Sequence, residues 1–373
     1  MVIGESASFN QRLVLEKAGD NADQIKQALD HIRSEHREGM EFLLNYMPEH
    51  DLNVLSSDFL LENVQFAYKA WESSPWKDQI SKDVFLNTIL PYASINERRD
   101  KWRKSFYERF KPLIEGIDSP GLAAATLNQK IFPLLKVKYS TKRKKADQSP
   151  FESMESGLAS CTGLSILLID ACRAVGIPAR FVGTPLWSDR SGNHSWVEVY
   201  DQGWHFTGAA EPAGDALDKA WFIGRAAKAQ SDSQRHAIYA VSFRHTPQPF
   251  PMVWKRGADF VHAVNVTDRY TELGKTLPPG YVNLMFRVLD GASGDRCSAP
   301  LTLKESNGDF VFEGKSKDER FDSNDHLTIA VPEGKTFQLT IPSETGDPVV
   351  KTVKAESDGQ LIDLELPAGS NRK

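Results

Sequence analysis

The most constraining feature of this sequence is an apolar helical segment that begins with a cysteine. From Cys161 the chain reads CTGLSILLIDACRAV, in which apolar residues recur at the three- and four-residue spacing of one buried helix face. Gly176 and Pro178 then end the helix, because glycine favours a helix C-terminus and proline cannot continue one. Cys161 is therefore predicted in the first turn, where unpaired N–H groups and the helix dipole favour a negative charge.

An alternating segment follows the helix and begins with a histidine. From His194 the chain reads HSWVEVY, and the period of two places His194, Trp196 and Glu198 on one face of a strand. The turn residues DQG then predict that the strand beginning at Trp204 returns as the second arm of a hairpin. A helix start and a nearby imidazole are the two common means of producing a thiolate nucleophile. The two periods therefore predict an antiparallel sheet that carries a base and packs against a helix that carries a thiol.

Together these segments resemble the transglutaminase-like superfamily over roughly residues 120 to 215. The resemblance rests on Cys161 at its helix start, the GIPAR turn from Gly176, HSWVEV from His194 and the strand at Trp204. It implies a papain-like α+β core, a helix packed on an antiparallel sheet, with Cys161 as the nucleophile and His194 as the base and acid. It also implies a protein or peptide substrate. Bacterial members of this superfamily resemble proteases or amidases more often than protein cross-linkers.

The resemblance implies a third, acidic residue four positions after Trp204, but this sequence has Gly208 there. Three replacements are open. Glu211 follows a short Gly/Ala stretch that can fold back toward the sheet. Glu198 shares the face of His194, but two residues along a strand is about 7 Å. A backbone group is the third option and would leave a catalytic dyad. We favour Glu211 as the third catalytic residue, and its alternative is an ordinary loop carboxylate.

The predicted reaction is acyl transfer through a thioester. Cys161 attacks a peptide or carboxamide carbonyl, and the acyl group passes to water or to an amine, with hydrolysis favoured. The backbone N–H of Cys161 is one candidate oxyanion donor, and the side chain of Asn128 or Gln129 is a second. An amidase that acts on glycosylated asparagine is another enzymatic interpretation. A core that has lost turnover and serves as a binding or scaffold module is the non-enzymatic interpretation, and Gly208 keeps it open.

The remaining cysteines and histidines carry weaker signals. Cys172 lies on the buried helix face and is predicted to be an inert core thiol, Cys297 lies in a Gly/Ser-rich loop and is predicted to be exposed, and His205 is predicted to be structural. The chain lacks His-Glu-x-x-His and Cys-x-x-Cys motifs and a Gly-rich loop after a strand, so we expect neither a metal nor a cofactor. The basic run 142–145 is predicted to be a solvated loop, and bordering the cleft is its alternative.

Composition limits the functional classes. The 373 residues are 40% hydrophobic and 25% charged, which is typical of a globular protein. A net charge of −5 provides no attraction to nucleic acid or to an anionic membrane, and no apolar run is long enough to span a bilayer. The first residues, MVIGESAS, lack the features of a signal peptide, so a cytoplasmic protein and an exported protein that has lost its signal both fit.

Patterning along the chain predicts three regions. Residues 1–115 form a helical region, residues 116–275 the transglutaminase-like core and residues 276–373 a β-sandwich in which short alternating runs are separated by turn residues. Residues 140–156 are predicted to be a loop. Helices are predicted over Gln24–Leu44, Ser57–Trp71, Ser81–Leu90, Asn96–Leu113 and Leu122–Leu135.

Overall fold

A computed structural model describes residues 9–274, 277–342 and 347–367. The described chain forms two compact units, of which the first holds residues 9–138 and 142–272 and the second holds residues 139–141 and the described residues from 273 onward. The helical region and the predicted core thus lie in one unit, and a boundary near residue 115 stays a prediction. None of the described helices is long and apolar enough to cross a bilayer.

The α-helices of the described chain lie mostly in the first 175 residues. They are α1 (Gln11–Ala18), α2 (Ala22–His31), α3 (Arg37–Tyr46), α4 (Glu49–Leu52), α5 (Ser57–Glu72), α6 (Lys82–Thr88), α7 (Arg103–Phe110), α8 (Pro120–Leu135), α9 (Pro150–Ser156), α10 (Cys161–Ala174), α11 (Ile223–Ala226) and α12 (Thr267–Leu273). The longest are α5, α8 and α10, and α10 is the predicted helix that begins at the cysteine.

The strands fall mainly in the second half of the chain. They are β1 (Lys138–Tyr139), β2 (Leu158–Ala159), β3 (Ala179–Thr184), β4 (His194–Tyr200), β5 (Trp204–Thr207), β6 (Tyr239–Ser242), β7 (His262–Asn265), β8 (Tyr281–Asp290), β9 (Pro300–Glu305), β10 (Val311–Lys315), β11 (Leu327–Pro332), β12 (Thr336–Ile341), β13 (Val349–Lys354) and β14 (Gln360–Leu366). The sheet of the first unit has the order β5-β4-β3-β6-β7, with every neighbouring pair antiparallel.

Helix α10 packs on β3 and β4 at the centre of this sheet. Its start is fixed by Ser160, whose hydroxyl accepts a hydrogen bond from the Gly163 N–H at 3.1 Å, so Cys161 is its first residue as predicted. Its end is fixed by Gly176 at φ 84°, where an added Cβ would lie 2.5 Å from the Ala70 carbonyl oxygen. Only glycine fits that position, which explains why the helix ends there. The α+β class, with a helix packed on an antiparallel sheet, is confirmed.

Side chains of the N-terminal helical region anchor the C-terminal end of α10. The buried guanidinium of Arg103 donates to the carbonyl oxygens of Ile89, Leu90 and Arg173. The indole N–H of Trp76 donates to the Gly176 carbonyl at 2.7 Å. Because buried backbone carbonyls need partners, these bonds hold the C-terminal end of α10 in one position.

A buried ion cluster holds strand β4 and its neighbours together. The Glu198 carboxylate accepts from Arg180 at 2.7 Å, from Arg269 at 2.5 Å and from the Tyr270 hydroxyl at 2.8 Å. Arg180 also stacks on the indole of Trp204, with its guanidinium carbon 3.7 Å from the ring centroid. Burial alone would raise the pKa of Glu198, but the charges of Arg180 and Arg269 lower it below its ordinary value.

The second unit contains two sheets, β11-β8-β14 and β10-β9-β12-β13. In the first sheet β11 is antiparallel and β14 parallel to β8, and in the second every pair is antiparallel. Buried side chains from both sheets, such as Phe286 and Leu303, form one apolar cluster. This arrangement agrees with the predicted β-rich C-terminal region.

Three predicted segments differ from the structure. The helix predicted over Gln24–Leu44 is two helices, α2 and α3, because the backbone is extended at Ile32, a break that no Gly or Pro announces. Within Asn96–Leu113 the α-helix is limited to α7, which a short 3₁₀ turn follows, and before α7 the Glu97 carboxylate accepts hydrogen bonds from the N–H groups of Ser94 and Ile95. The loop predicted at 140–156 contains α9, which starts with a capping box that the sequence interpretation overlooked.

We predict that Glu198→Gln lowers the stability of the first unit by about 3–5 kcal/mol at neutral pH, because it leaves the buried guanidinium of Arg180 and the partly exposed guanidinium of Arg269 without a charged partner. The lowered pKa of Glu198 means that this stabilisation is present above the unfolded pKa of about 4.3 and is lost as the pH falls through the folded pKa. All eight tryptophans lie between residues 71 and 254, so urea unfolding followed by tryptophan fluorescence reports on the first unit alone.

Glu62→Gln is the matched control, since Glu62 is partly exposed and pairs with Lys101 at 3.1 Å. Glu62→Gln is expected to lower the free energy of unfolding by at most about 1 kcal/mol. Equal losses in the two variants, or a Glu198→Gln deficit that does not shrink below about pH 4, would contradict the assigned role of the cluster.

Candidate active site

The structure brings the two predicted reactive side chains together. The Cys161 Sγ and a ring nitrogen of His194 lie within 4.8 Å of each other, although 33 residues separate them in the chain. Cys161 is partly exposed at the start of α10, and His194 is 2% exposed at the start of β4. A small side-chain adjustment brings such a pair into hydrogen-bonding distance, and catalytic hydrogen bonds are often long before substrate binds. The arrangement can therefore transfer a proton between sulfur and nitrogen.

Aromatic rings fix the position of the His194 imidazole. The ring centroids of Trp221 and Phe222 each lie 4.9 Å from that of His194. Trp196 lies at 5.8 Å and Trp187 at 6.0 Å. Such close packing restricts rotation of the imidazole and excludes water from most of its surface. The ring is consequently held in one orientation beside the helix start.

A second contact joins the helix and the strand directly beneath the reactive pair. The hydroxyls of Thr162 and Ser195 lie 3.1 Å apart, and both side chains are buried. Each is the residue immediately after one member of the reactive pair, Cys161 or His194. Because this hydrogen bond links the first turn of α10 to the start of β4, it sets how closely the sulfur and the imidazole approach.

The carboxylate of Glu211 occupies the space that a side chain at position 208 would need. A Cβ added to Gly208 would clash with Glu211 Oε2 and would lie 3.1 Å from the Glu211 Cβ. The two residues pair as an isolated β-bridge, with the Glu211 N–H donating to the Gly208 carbonyl at 3.1 Å. Glu211 Oε2 also accepts the indole N–H of Trp221 at 2.9 Å, and this indole packs against His194. An acidic group therefore lies where the aspartate implied by the resemblance is missing.

Asn128 holds the turn that carries Gly208 and Glu211. Its amide nitrogen donates to Thr207 Oγ1 at 3.0 Å and to the Gly208 carbonyl at 2.8 Å, and its amide oxygen accepts from the Ala210 N–H at 2.9 Å. With both amide hydrogens engaged, the geometry does not support Asn128 as an oxyanion donor. Gln129 donates to backbone and side-chain oxygens of residues 214–215, which does not support it either.

The other candidates of the sequence interpretation have structural roles. Glu198 is enclosed by the ion cluster, so it does not orient the imidazole. His205 pairs with Asp218 at 2.6 Å; burial would lower the pKa of His205, but this hydrogen bond and the charge of Asp218 raise it. Cys172 is buried, which raises the pKa of its thiol. Cys297 is partly buried against the apolar cluster of the second unit rather than exposed as predicted.

The loop before α9 reaches the start of the nucleophile helix. The Ser160 hydroxyl donates to the Ala146 carbonyl at 2.6 Å, so the residue after the basic run 142–145 touches the N-cap of α10. Within that run Lys145 pairs with Glu152 at 3.0 Å. Among the described residues of the first unit, no three His, Cys, Asp or Glu side chains converge closely enough to hold a metal ion. The predicted absence of a metal stays a prediction.

Comparison with known proteins supports the resemblance drawn from the sequence. Residues 109–208 match the family model described as the transglutaminase-like superfamily, a range that includes Cys161 and His194. The resemblance is therefore confirmed for this part of the chain, and together with the Cys161–His194 pair it supports a papain-like cysteine enzyme core. No curated protein matches the sequence.

Three solved structures with similarity to this chain are distant from it in sequence. A candidate cysteine protease from Cytophaga hutchinsonii is 17% identical, with 44% of this chain and 58% of that chain covered and a TM-score of 0.26. The Bacillus anthracis TIE protein is 13% identical, with 51% and 30% covered and a TM-score of 0.19. A red sea bream transglutaminase is 8% identical, with 80% and 59% covered and a TM-score of 0.22. The chain thus spans less than two thirds of each of these proteins, and such TM-scores carry no functional argument.

Sequence interpretation missed the residues that surround the reactive pair. Trp187 and Trp221 come from segments without a regular period, so nothing in the sequence placed them beside His194. The Thr162–Ser195 contact had a weak signal, because both hydroxyls directly follow a predicted reactive residue. A residue next to a functional group is a reasonable place to look for such positioning contacts.

We predict that Thr162→Val slows alkylation of Cys161 by iodoacetamide and costs about 1–3 kcal/mol of stability, because the buried Ser195 hydroxyl loses its partner. Thr162→Ser keeps the hydroxyl and should restore both properties. The measurements are the alkylation rate by mass spectrometry and urea unfolding by tryptophan fluorescence.

Ser165→Ala is the control, since Ser165 lies one turn later on α10 and its buried hydroxyl has no hydrogen-bond partner among the described residues. Little change is expected in that variant. If Thr162→Val lost stability but kept the wild-type alkylation rate, the contact would be purely structural.

Proposed function

We propose that this protein is a cysteine hydrolase that cleaves a peptide or carboxamide bond through a thioester. The observation that carries the proposal is the approach of the Cys161 Sγ and the His194 imidazole to within 4.8 Å at the start of a helix. The partial exposure of Cys161 supports attack on an external substrate. The acceptor is taken to be water, as the resemblance to bacterial proteases and amidases implies.

The proposed reaction has two half-reactions, and His194 transfers the proton in both. His194 takes the proton of the Cys161 thiol, and the thiolate attacks the substrate carbonyl carbon to form a tetrahedral intermediate. The C–N bond then breaks, and His194 gives its proton to the departing amine nitrogen. In the second half-reaction His194 takes a proton from water, whose oxygen attacks the thioester, and the thiol is re-formed as the carboxylic acid leaves.

The start of α10 supplies one stabilising group for the intermediate. As the first residue of the helix, Cys161 has a backbone N–H without an intrahelical acceptor. This N–H and the dipole of α10 favour negative charge on the substrate oxygen next to the sulfur. The side chains of Asn128 and Gln129 donate to other groups and do not contribute a second donor.

Glu211 is proposed to take the part of the missing acidic residue. Its carboxylate fills the space above Gly208 and binds the indole of Trp221, which packs on the His194 ring. A carboxylate in this position orients the imidazole and stabilises its charged form after proton transfer. In this proposal Glu211 is a positioning residue. It acts on the His194 ring through its hydrogen bond with Trp221.

A non-enzymatic function is favoured by one observation. The His194 side chain is only 2% exposed, so very little of the imidazole is open to a substrate. In a core that had lost turnover and served as a scaffold, the histidine would be a packed structural residue. The two tests below separate these functions.

Moving the carboxylate from position 211 to position 208 tests the proposed role of Glu211. Glu211→Ala should lower turnover by about 10²- to 10⁴-fold, because the imidazole is no longer held in the orientation in which it acts as a base. The double variant Gly208→Asp/Glu211→Gly places a carboxylate at position 208, where the family has its acidic residue, and should recover much of the activity. Turnover and its pH profile are measured for both variants.

Gly208→Asp alone is the matched control, because its side chain would meet the Glu211 carboxylate and should destabilise the turn. Wild-type turnover in Glu211→Ala would remove Glu211 from the mechanism. Failure of the double variant to exceed Glu211→Ala would show that the carboxylate acts only from position 211.

The second prediction concerns the thiol. Iodoacetamide at neutral pH should modify Cys161 at least tenfold faster than Cys172 or Cys297, because only Cys161 combines a helix start with a nearby imidazole. His194→Ala should remove most of the advantage of Cys161 over the partly exposed Cys297, whereas Cys172 stays slow because it is buried. The sites and rates are read by peptide mass spectrometry, with Cys297→Ser as the control for loss of an unrelated thiol.

A peptide-library digest then identifies the reaction. Wild type should cleave peptide or side-chain amide bonds that Cys161→Ala leaves intact, and adding a primary amine reveals any transfer product. Release of glycan from glycosylated asparagine would indicate the amidase interpretation. Slow, unselective alkylation together with no cleavage would refute the enzymatic proposal and leave the scaffold function.

A further inference from the structure

A groove opens where strand β3 ends, next to the candidate active site. It has a volume of about 730 Å³ and is lined by residues that follow β3, by Arg235 and by the segment 249–259. Thr184, the last residue of β3, faces His194 in the sheet register, and the groove begins at the next residue, Pro185. Since an extended chain advances about 3.3 Å per residue, a ligand in this groove lies within a few residues of the reactive pair.

The floor of the groove is apolar and well fixed. The side chains of Phe250 and Met252 are each only 3% exposed, and Leu186 and Val253 contribute further apolar surface. Phe250 packs edge-on against Phe181 at 5.4 Å, and its N–H donates to the Val261 carbonyl at 2.7 Å. Because this floor is held by the core, it is a preformed surface for an apolar side chain.

The rim of the groove carries two exposed arginines. Arg235 and Arg256 line it, and neither forms an ion pair or hydrogen bond with any residue that the structure describes. Asp259 is the one carboxylate among the lining residues, so the rim has a net positive charge. Unpaired guanidinium groups at the edge of an apolar surface suit carboxylates, which they bind through two parallel hydrogen bonds.

We propose that this groove binds the substrate as an extended acidic peptide, with an apolar side chain on the floor and flanking Asp or Glu carboxylates at Arg235 and Arg256. This inference rests on the proposed function and specifies its substrate class. The protein has a net charge of −5, so its surface as a whole repels acidic peptides. The positive rim next to the reactive pair attracts them and so directs them to this groove.

Binding is tested separately from catalysis by using the full chain with Cys161→Ala. Three short fluorescein-labelled peptides of one length carry a central Leu flanked by Glu, Gln or Lys, and their affinities are measured by fluorescence anisotropy at low and high salt. The Glu peptide should bind about tenfold more tightly than the Gln peptide, with the Lys peptide weakest. Replacing the central Leu by Gly should weaken binding of the Glu peptide.

The variant Arg235→Glu/Arg256→Glu should reverse the order of the Glu and Lys peptides, and Arg235→Lys/Arg256→Lys should fall between it and the parent. Lys26→Glu/Lys104→Glu is the control, since it changes the net charge equally at exposed positions on α2 and α7. Equal binding of the three peptides, or the same loss in the control, would overturn the inference.

Cleavage of the same peptides by wild-type protein distinguishes this inference from the proposed function. The arginine variants should raise KM for the Glu peptide and leave kcat nearly unchanged, because the rim binds substrate without touching the reacting atoms. Cleavage with no preference for the Glu peptide would refute the groove assignment alone. Selective binding without cleavage or rapid alkylation would refute the hydrolase and retain the peptide site.

Discussion

The candidate site depends on one contact, between the first turn of α10 and the start of β4. The Thr162 and Ser195 hydroxyls join these elements beneath the reactive pair. This contact can fix the spacing of the reactive pair because α10 and β4 are each held in place by other interactions. Carbonyl bonds from Arg103 and from the Trp76 indole fix α10, while an ion cluster centred on one buried glutamate fixes β4. Two rigid elements that pack together and are joined next to the reactive pair by a buried hydrogen bond give a defined distance between sulfur and imidazole.

The turn after β5 shows how a carboxylate from a later residue can fill the space beside a residue that has no side chain. Gly208 has no side chain, and the Glu211 carboxylate lies in the volume thus left open. Asn128 makes this possible by bonding both ends of the turn. A position-by-position comparison shows only a missing aspartate, whereas the folded turn presents a carboxylate that binds the indole of Trp221, and this indole packs against the imidazole.

Periodicity predicted the elements that have a clear buried face and failed where side chains compete with the backbone. Helix α10, strand β4 and the β-rich C-terminal region all have regular patterns and lie where the sequence predicts them. The segment before α7 has a helical composition, but its Glu97 carboxylate accepts hydrogen bonds from the N–H groups of Ser94 and Ile95 in a turn that is not helical. Such a local competition depends on which conformation the rest of the structure stabilises, and no period reveals it.

The sequence by itself determined the helix start at Cys161, the strand start at His194 and the α+β class, because these follow from local spacing and capping. Only the tertiary structure decided that the two side chains meet, that Glu211 lies over Gly208 and that two arginines border an apolar groove. The physical reason is that contacts between distant residues depend on how whole elements pack. Local spacing limits which face a side chain occupies but not which partner that face will meet.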